Sequence, residues 1–148
     1  MPLKWKIKPF KALSPEELYS ILQLRSEIFV VEQNCVYQDL DGKDQKALHV
    51  FGIEEGRILA SSRLFAPGDY FAEASIGRVV VKKDARARKL GHELMQESMN
   101  AIKENFGSGP ILISAQLYLE KFYNSHGFIS VGEKYLEDDI PHIRMLRD

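Results

Sequence analysis

The chain has 148 residues, with 20 lysines and arginines against 21 aspartates and glutamates and a formal net charge of −1. At roughly 100–200 residues per domain this is one domain, residues 1–148, and its balanced charge excludes a global field favouring nucleic acid or an anionic membrane. A single cysteine, Cys35, excludes an intramolecular disulfide framework and fits a reducing compartment; with no apolar run for a signal peptide or membrane span, a cytoplasmic protein is expected.

Leu3, Trp5 and Ile7 alternate with Lys4, Lys6 and Lys8, which predicts a strand with one buried face, stopped by Pro9. In Ser14-Pro15-Glu16-Glu17, Ser14 can cap a helix, Pro15 suits its first position and Glu17 completes a capping box. The helix behind it carries Leu18, Ile21, Leu22, Ile28 and Phe29 on one stripe, interrupted by Arg25. A guanidinium on an apolar stripe is costly unless a carboxylate meets it, so Arg25 reads as an ion-pair partner or a substrate ligand. Arg78 carries the same two readings. Residues 30–46 are expected to be irregular or a short second helix. Asp39-x-Asp41-Gly42-x-Asp44 suggests a calcium loop, but aligned on its glycine the first and twelfth positions are Tyr37 and Leu48, which excludes it.

From residue 47 the period becomes two. Residues 47–53 and 57–65 predict strands joined by a Glu54-Glu55-Gly56 turn, and residues 74–83 a third strand. Gly91, Leu94, Met95, Ser98 and Ile102 share one face of a helix ending near Gly107. Residues 111–115 form a short buried strand, and Leu119, Phe122, Tyr123 and His126 one face of a helix that Gly127 ends. Residues 128–135 and 142–147 predict two last strands around an acidic loop, Glu137-Asp138-Asp139-Ile140-Pro141. This order predicts an α/β fold: a mixed, mostly antiparallel sheet with one parallel β-α-β crossover pair and flanking helices.

Five of the eight residues from Lys82 to Lys89 are basic. With a helix opening near Ala87, these cations stand at the positive end of its dipole, a local conflict that an anion would resolve. A solvated basic turn is the other reading. The segment Arg86-Ala87-Arg88-Lys89-Leu90-Gly91, after Val79-Val80-Val81, resembles the phosphate-binding motif of the GNAT superfamily of acyl-CoA-dependent N-acetyltransferases. Lys89 stands where that family usually has glycine; its side chain either obstructs the pyrophosphate or adds an ammonium to it. The segment from Ile113 to Phe128 is similar to the family's later motif, with Tyr123 and Gly127-Phe128 at the matching places. The segment from Leu24 to Asp44, His49 and the run from Glu137 to His142 resemble the family's ElaA-like branch, so the likeness spans nearly the whole chain.

The resemblance implies a GNAT-like fold and direct attack of a primary amine on acetyl-CoA, the co-substrate, with no covalent acyl-enzyme and no metal. It implies that Val79, Val80, Val81, Arg86, Ala87, Arg88, Lys89, Leu90, Gly91, His92 and Gln116 hold the cofactor. Tyr123 becomes the general acid for the leaving thiolate; its other reading is a core tyrosine on the Leu119/Phe122 face. The candidates for general base are Glu32, His49, Glu137, Asp139 and His142. Glu32 and His142 are assigned to the catalytic set, and His49, Glu137 and Asp139 to substrate binding. The four histidines have no metal spacing. Two rival readings are a nucleic-acid-binding module using residues 82–89, which the short cluster and net charge disfavour, and an acyl-CoA sensor without turnover. A sheet-edge homodimer would leave no distinctive pattern.

Overall fold

In the computed structural model, which describes residues 3–148, the alternating N-terminus forms β1 (Lys4–Pro9). Met1 and Pro2, where the alternation begins, lie outside the described residues. β1 pairs only with β2, so its apolar face is half covered and Ile7 remains 38% exposed. The lysines of β1 do more than face water. Lys8 Nζ lies 3.0 Å, and Lys6 Nζ 3.8 Å, from the Glu17 carboxylate on the first turn of α1 (Pro15–Arg25). That helix opens with the expected capping box: the Glu17 N–H donates to Ser14 Oγ at 3.0 Å and the Ser14 N–H to Glu17 Oε1 at 2.9 Å.

Beyond Arg25 the chain continues as a π-helical stretch, Ser26–Glu32, and the Gln33 and Cys35 N–H groups donate five residues back, to Ile28 and Val30. The wider turn keeps Ile28 and Phe29 on the buried face with Ile21 and Leu24. Residues 33–43 have no regular structure.

β2 (Leu48–Glu54) and β3 (Arg57–Phe65) form the expected hairpin, whose tight turn holds Glu55 at φ 51° and Gly56 at φ 77°. β4 (Ser75–Val81) completes an antiparallel sheet of order β1-β2-β3-β4. α2 (Leu90–Phe106) leads to β5 (Ile111–Gln116), and α3 (Glu120–Asn124) to β6 (Ile129–Glu137) and β7 (Ile140–Arg147). The last three strands form a second antiparallel sheet, β5-β7-β6. The expected acidic loop shrinks to the turn Asp138-Asp139, at φ 52° and 63°; Glu137 and His142 are strand residues.

The parallel crossover pair is realised as one bridge, Ala74 to Ile111, where the Leu112 N–H donates to the Ala74 carbonyl at 2.9 Å. Past it, β4 and β5 diverge. One core joins Leu94, Met95 and Ile102 of α2 to Val50, Leu64, Ile76, Ile113 and Met145; a second joins α1 and the π-helical stretch to Phe51, Ile58 and Val80. The first sheet is therefore covered on both faces. No helix among the described residues is long and apolar enough to cross a membrane.

Arg25 is 1% exposed, and its stripe position is resolved by two carboxylates: Nε lies 2.9 Å from Asp39 and Nη1 2.8 Å from Asp44. Arg63 of β3 joins Asp44 at 3.0 Å and Asp41 at 2.5 Å. Arg78 of β4 joins Asp39 at 2.7 Å and Asp41 at 3.5 Å. Three guanidiniums thus surround three aspartates, pinning residues 39–44 onto α1, β3 and β4 with no net charge. Burial alone would push the Asp44 carboxyl up; hydrogen bonds and charge from Arg25 and Arg63 outweigh it and hold the group below its ordinary range. Asp41 follows the same balance, with Arg63 and the Lys43 N–H lowering it.

Truncating one member strands its partners, so Arg25→Leu should destabilise the fold by about 3–5 kcal/mol. At roughly 2–4 °C per kcal/mol, its melting midpoint should fall by about 6–20 °C. The lowered aspartates contribute stability that is fully present above their ordinary carboxylate values and lost as pH falls through the depressed ones. Denaturant titrations below pH ~4 should record that loss in the wild type.

Candidate active site

Where β4 and β5 part, a cleft of about 500 Å³ opens. Its walls are β4 from Ile76 to Val81, the π-helical stretch at Ile28 and Phe29 with Gln33 just beyond it, the end of β5, α3, the start of α2, and the β6–β7 end at Glu137 and His142. β4 is the last strand of its sheet, so beyond the Ala74–Ile111 bridge its outer backbone edge faces this cleft without a strand partner.

A bulge shapes that edge. Arg78 and Val79 together oppose Ser62, because the register slips between Ser61 and Arg63. Arg78 takes φ 49°, a conformation that costs a non-glycine residue about 1–2 kcal/mol. The same rotation delivers its guanidinium to Asp39 and Asp41.

At the other end of the cleft, the connection from β4 is a 3₁₀ turn, Lys83–Arg88, and α2 begins at Leu90 rather than near Ala87. Lys89 is the residue before the helix, at φ 58° and ψ 30°, and no side chain caps the first N–H groups of α2. The left-handed backbone at Lys89 is the physical reason why glycine suits this position. The charge conflict expected at the helix start is largely answered by carboxylates. Lys82 pairs with Glu27 at 3.3 Å, Arg86 with Glu32 at 2.5 Å, and Arg88 with Glu54 at 2.5 Å. Lys83 and Lys89 have no ion-pair partner among the described residues.

The structure brings Val79, Val80, Val81, Arg86, Lys89, Gly91, His92, Gln116, Tyr123, Glu137 and His142 to the cleft wall. It does not bring the others there. His49 is 1% exposed in the interior, its Nε2 2.9 Å from the Asp44 carbonyl, and burial drives its pKa down: it braces the aspartate loop. Asp139 sits exposed in the β6–β7 turn outside the cleft lining. Leu90 packs in the core with Leu59 and Ala85, Ala87 is exposed, and Arg88 is held on the far side by Glu54. Glu32 stands off the cleft lining, where the hydrogen bond from Arg86 holds its carboxyl below the ordinary range and occupied.

Tyr123 is 6% exposed, and burial, with Tyr118 beside it, pushes its hydroxyl well above the ordinary tyrosine range. At neutral pH it therefore keeps its proton. His142 has its Nδ1 2.7 Å from the Ile140 carbonyl, an acceptor only, so Nδ1 carries the hydrogen. That leaves the Nε2 lone pair free, 3.6 Å from Glu137 Oε2.

Three cleft residues, Gln33, Tyr37 and Ser114, are not singled out by the motifs. Gln33 and Gln116 exchange reciprocal amide hydrogen bonds of 3.1 and 3.3 Å across the cleft walls. Tyr37 donates to Asp39 at 3.3 Å; burial, followed by the Asp39 charge, pushes its hydroxyl up to about 12. Ser114 hydrogen-bonds Tyr135 and donates to Glu137 at 3.3 Å. These partners lie far apart in sequence, except for Tyr37 and Asp39, so no local spacing announces them.

The family described as an acetyltransferase (GNAT) domain matches residues 11–147. Protein ElaA of Escherichia coli is 39% identical over 148 residues, covering 99% of this chain and 97% of that protein, and its crystal structure matches with a TM-score of 0.92. An acyl-CoA N-acyltransferase from Pseudomonas aeruginosa is 43% identical, with a TM-score of 0.95 over 99% of this chain and 100% of that one. An aminoglycoside 6'-N-acetyltransferase complexed with coenzyme A shares the fold at 16% identity, with a TM-score of 0.71 over 96% of each chain.

Lys89→Gly relieves the left-handed strain and should raise stability by up to about 1 kcal/mol, whereas Lys89→Ala should not. Thermal unfolding of the two variants beside the wild type checks this.

Proposed function

The chain belongs to the GNAT acetyltransferase family, and from that premise we propose that it acts as one domain that moves an acetyl group from acetyl-CoA to a primary amine by direct attack in the cleft. The observation that carries this reading is the conjunction of the unpaired β4 edge with the uncapped start of α2 on the same cavity. An extended pantetheine arm presents amides that complete a strand edge, and a pyrophosphate suits a helix N-terminus. In this reading the arm runs along Val79 to Val81 and towards Gln116. The pyrophosphate meets the first turn of α2 near Gly91 and His92, with Lys89 as its free cation. Arg86 contributes once phosphate displaces Glu32, while Ala87, Arg88 and Leu90 offer backbone only.

The acceptor amine enters from the Glu137/His142 end. His142 Nε2 takes a proton from the attacking nitrogen as its lone pair bonds the thioester carbon, and Glu137 steadies the imidazolium. A β4 N–H on the cleft edge serves the oxyanion. Collapse breaks the C–S bond, and Tyr123 passes its proton to sulfur, releasing amide and CoA. With ordinary values near 10 for a phenol and 8.5 for a thiol, that transfer is uphill by about 2 kcal/mol. Burial of Tyr123 raises the cost in the empty cleft and keeps the acid loaded until the thiolate forms.

The nucleic-acid reading is weaker than the basic cluster implies, because three of its five cations are already paired with carboxylates. An acyl-CoA sensor would bind without releasing product. At acetyl-CoA near 100 times its Kd, binding should stabilise the fold by about 2.7 kcal/mol, a midpoint rise of about 5–11 °C. In an amine screen by thiol release, Tyr123→Phe should lower kcat at least tenfold with an unchanged Kd for acetyl-CoA. No thermal shift would contradict cofactor binding; undiminished turnover in the variant would remove Tyr123 from the acid role.

A further inference from the structure

At the outer end of the cleft two imidazoles meet, His92 of the cleft lining and His126 beside it. His92 Nδ1, on the first turn of α2, lies 3.0 Å from His126 Nε2, just past α3. The rings are 5.1 Å apart between centroids and share a support: Phe122 lies 4.9 Å from one and 5.2 Å from the other. Two ring nitrogens at 3.0 Å need one hydrogen between them, one nitrogen donating and the other accepting. The pair therefore has a neutral form and a singly protonated form, and a second proton would set two N–H groups against each other. It is a one-proton device.

Its surroundings are cationic. Arg147 of β7 donates to the His126 carbonyl at 2.9 Å, and Lys89 stands three residues before His92 at the same helix start. Burial first, then the His92 and Arg147 charges, holds the His126 pKa down. Glu93 and Lys121 on the two helices are exposed and make no hydrogen bond or ion pair with either ring, and Glu120 bonds Ser130 instead. No carboxylate neutralises the pair among the described residues.

We propose that His92 and His126 form a proton-sharing pair that engages a phosphate group of the acyl-CoA, so that cofactor binding takes up a proton from solvent. The inference rests on the acyl-CoA reading above and adds to it a residue, His126, and a direction. Without ligand, the pair faces only cations, and burial with those charges disfavours protonation of His126. A phosphate at the uncapped turn supplies the missing negative charge, favours the singly protonated pair and gains an imidazolium N–H as donor. The consequence for affinity has a definite sign. Cofactor binding weakens as pH rises from the free to the ligand-bound pKa of the pair, with a slope approaching tenfold per pH unit between the two and none above the second.

Calorimetric titration of the full chain with acetyl-CoA, whose thiol is blocked, tests this between pH 6.0 and 8.5. The wild-type Kd should rise at least fivefold more across that range than the Kd of His126→Asn or His92→Asn, which removes ionisation while keeping an amide donor. Titrations in two buffers of different ionisation enthalpy should show net proton uptake in the wild type only. Because a variant can fail through misfolding, imidazole NMR of the wild type gives an independent reading: acetyl-CoA should move the titration midpoint of the pair upward. Parallel pH profiles for wild type and a folded variant, or an unmoved midpoint in a saturated complex, would overturn the pair while leaving the acyl-CoA reading intact. No saturable binding at any pH would overturn that reading, and the inference with it.

Discussion

Six charges hold the working end of this protein together. Arg25, Arg63 and Arg78 come from a helix and two strands, and Asp39, Asp41 and Asp44 from one irregular segment. Neither set is tolerable alone in so buried a place, since an unpaired ion there costs several kcal/mol. Together they alternate in sign, and nearly every polar atom is satisfied; the Arg63 Nε, without a partner, is the exception. The network does for residues 39–44 what a hydrophobic core does elsewhere, although these residues supply little apolar surface. It also stabilises the left-handed Arg78, so the bulge that shapes the cleft wall and the loop beside it are one construction.

The cleft exists because two sheets meet at one parallel bridge and then part. That leaves β4 with an unsatisfied edge, which a folded protein ordinarily covers. Here the edge, the uncapped turn of α2 and the buried Tyr123 line the same volume, which is the basis for proposing a thioester on a phosphorylated carrier as its occupant. In the proposed mechanism, acid and base are separated by environment. Burial keeps Tyr123 protonated, while a carbonyl on one side and Glu137 on the other leave His142 with a nitrogen able to accept. The apparent excess of positive charge at residues 82–89 is mostly spent on Glu27, Glu32 and Glu54, so the cationic field reaching the cleft is narrower than the sequence implies.

What the sequence revealed and what it hid divide along a physical line. Period and capping are local, so the capping box at Ser14, the Glu55-Gly56 turn, the α2 face and the Gly127 stop could all be read directly. The phosphate motif is local too, although the helix starts at Leu90 rather than near Ala87 because a 3₁₀ turn and a left-handed lysine intervene. The ion network is not local. Asp39, Asp41 and Asp44 have the spacing of a cation-binding loop, and their cations are guanidiniums delivered from 14 to 39 residues away. Likewise His49 looked like a ligand because its burial beside the Asp44 carbonyl is a tertiary fact. Residue chemistry announced that Arg25 needed a partner; only the fold could say which one.

The network makes the aspartate loop and the bulged β4 edge a single unit. Amide hydrogen exchange on the wild type and Arg25→Leu at pH 7 measures it most directly. Residues 37–46 and the backbone around Arg78 and Val79 should lose protection together in the variant, while the β2–β3 turn end is unchanged. Loss confined to residues 37–46, with β4 protected as before, would contradict it.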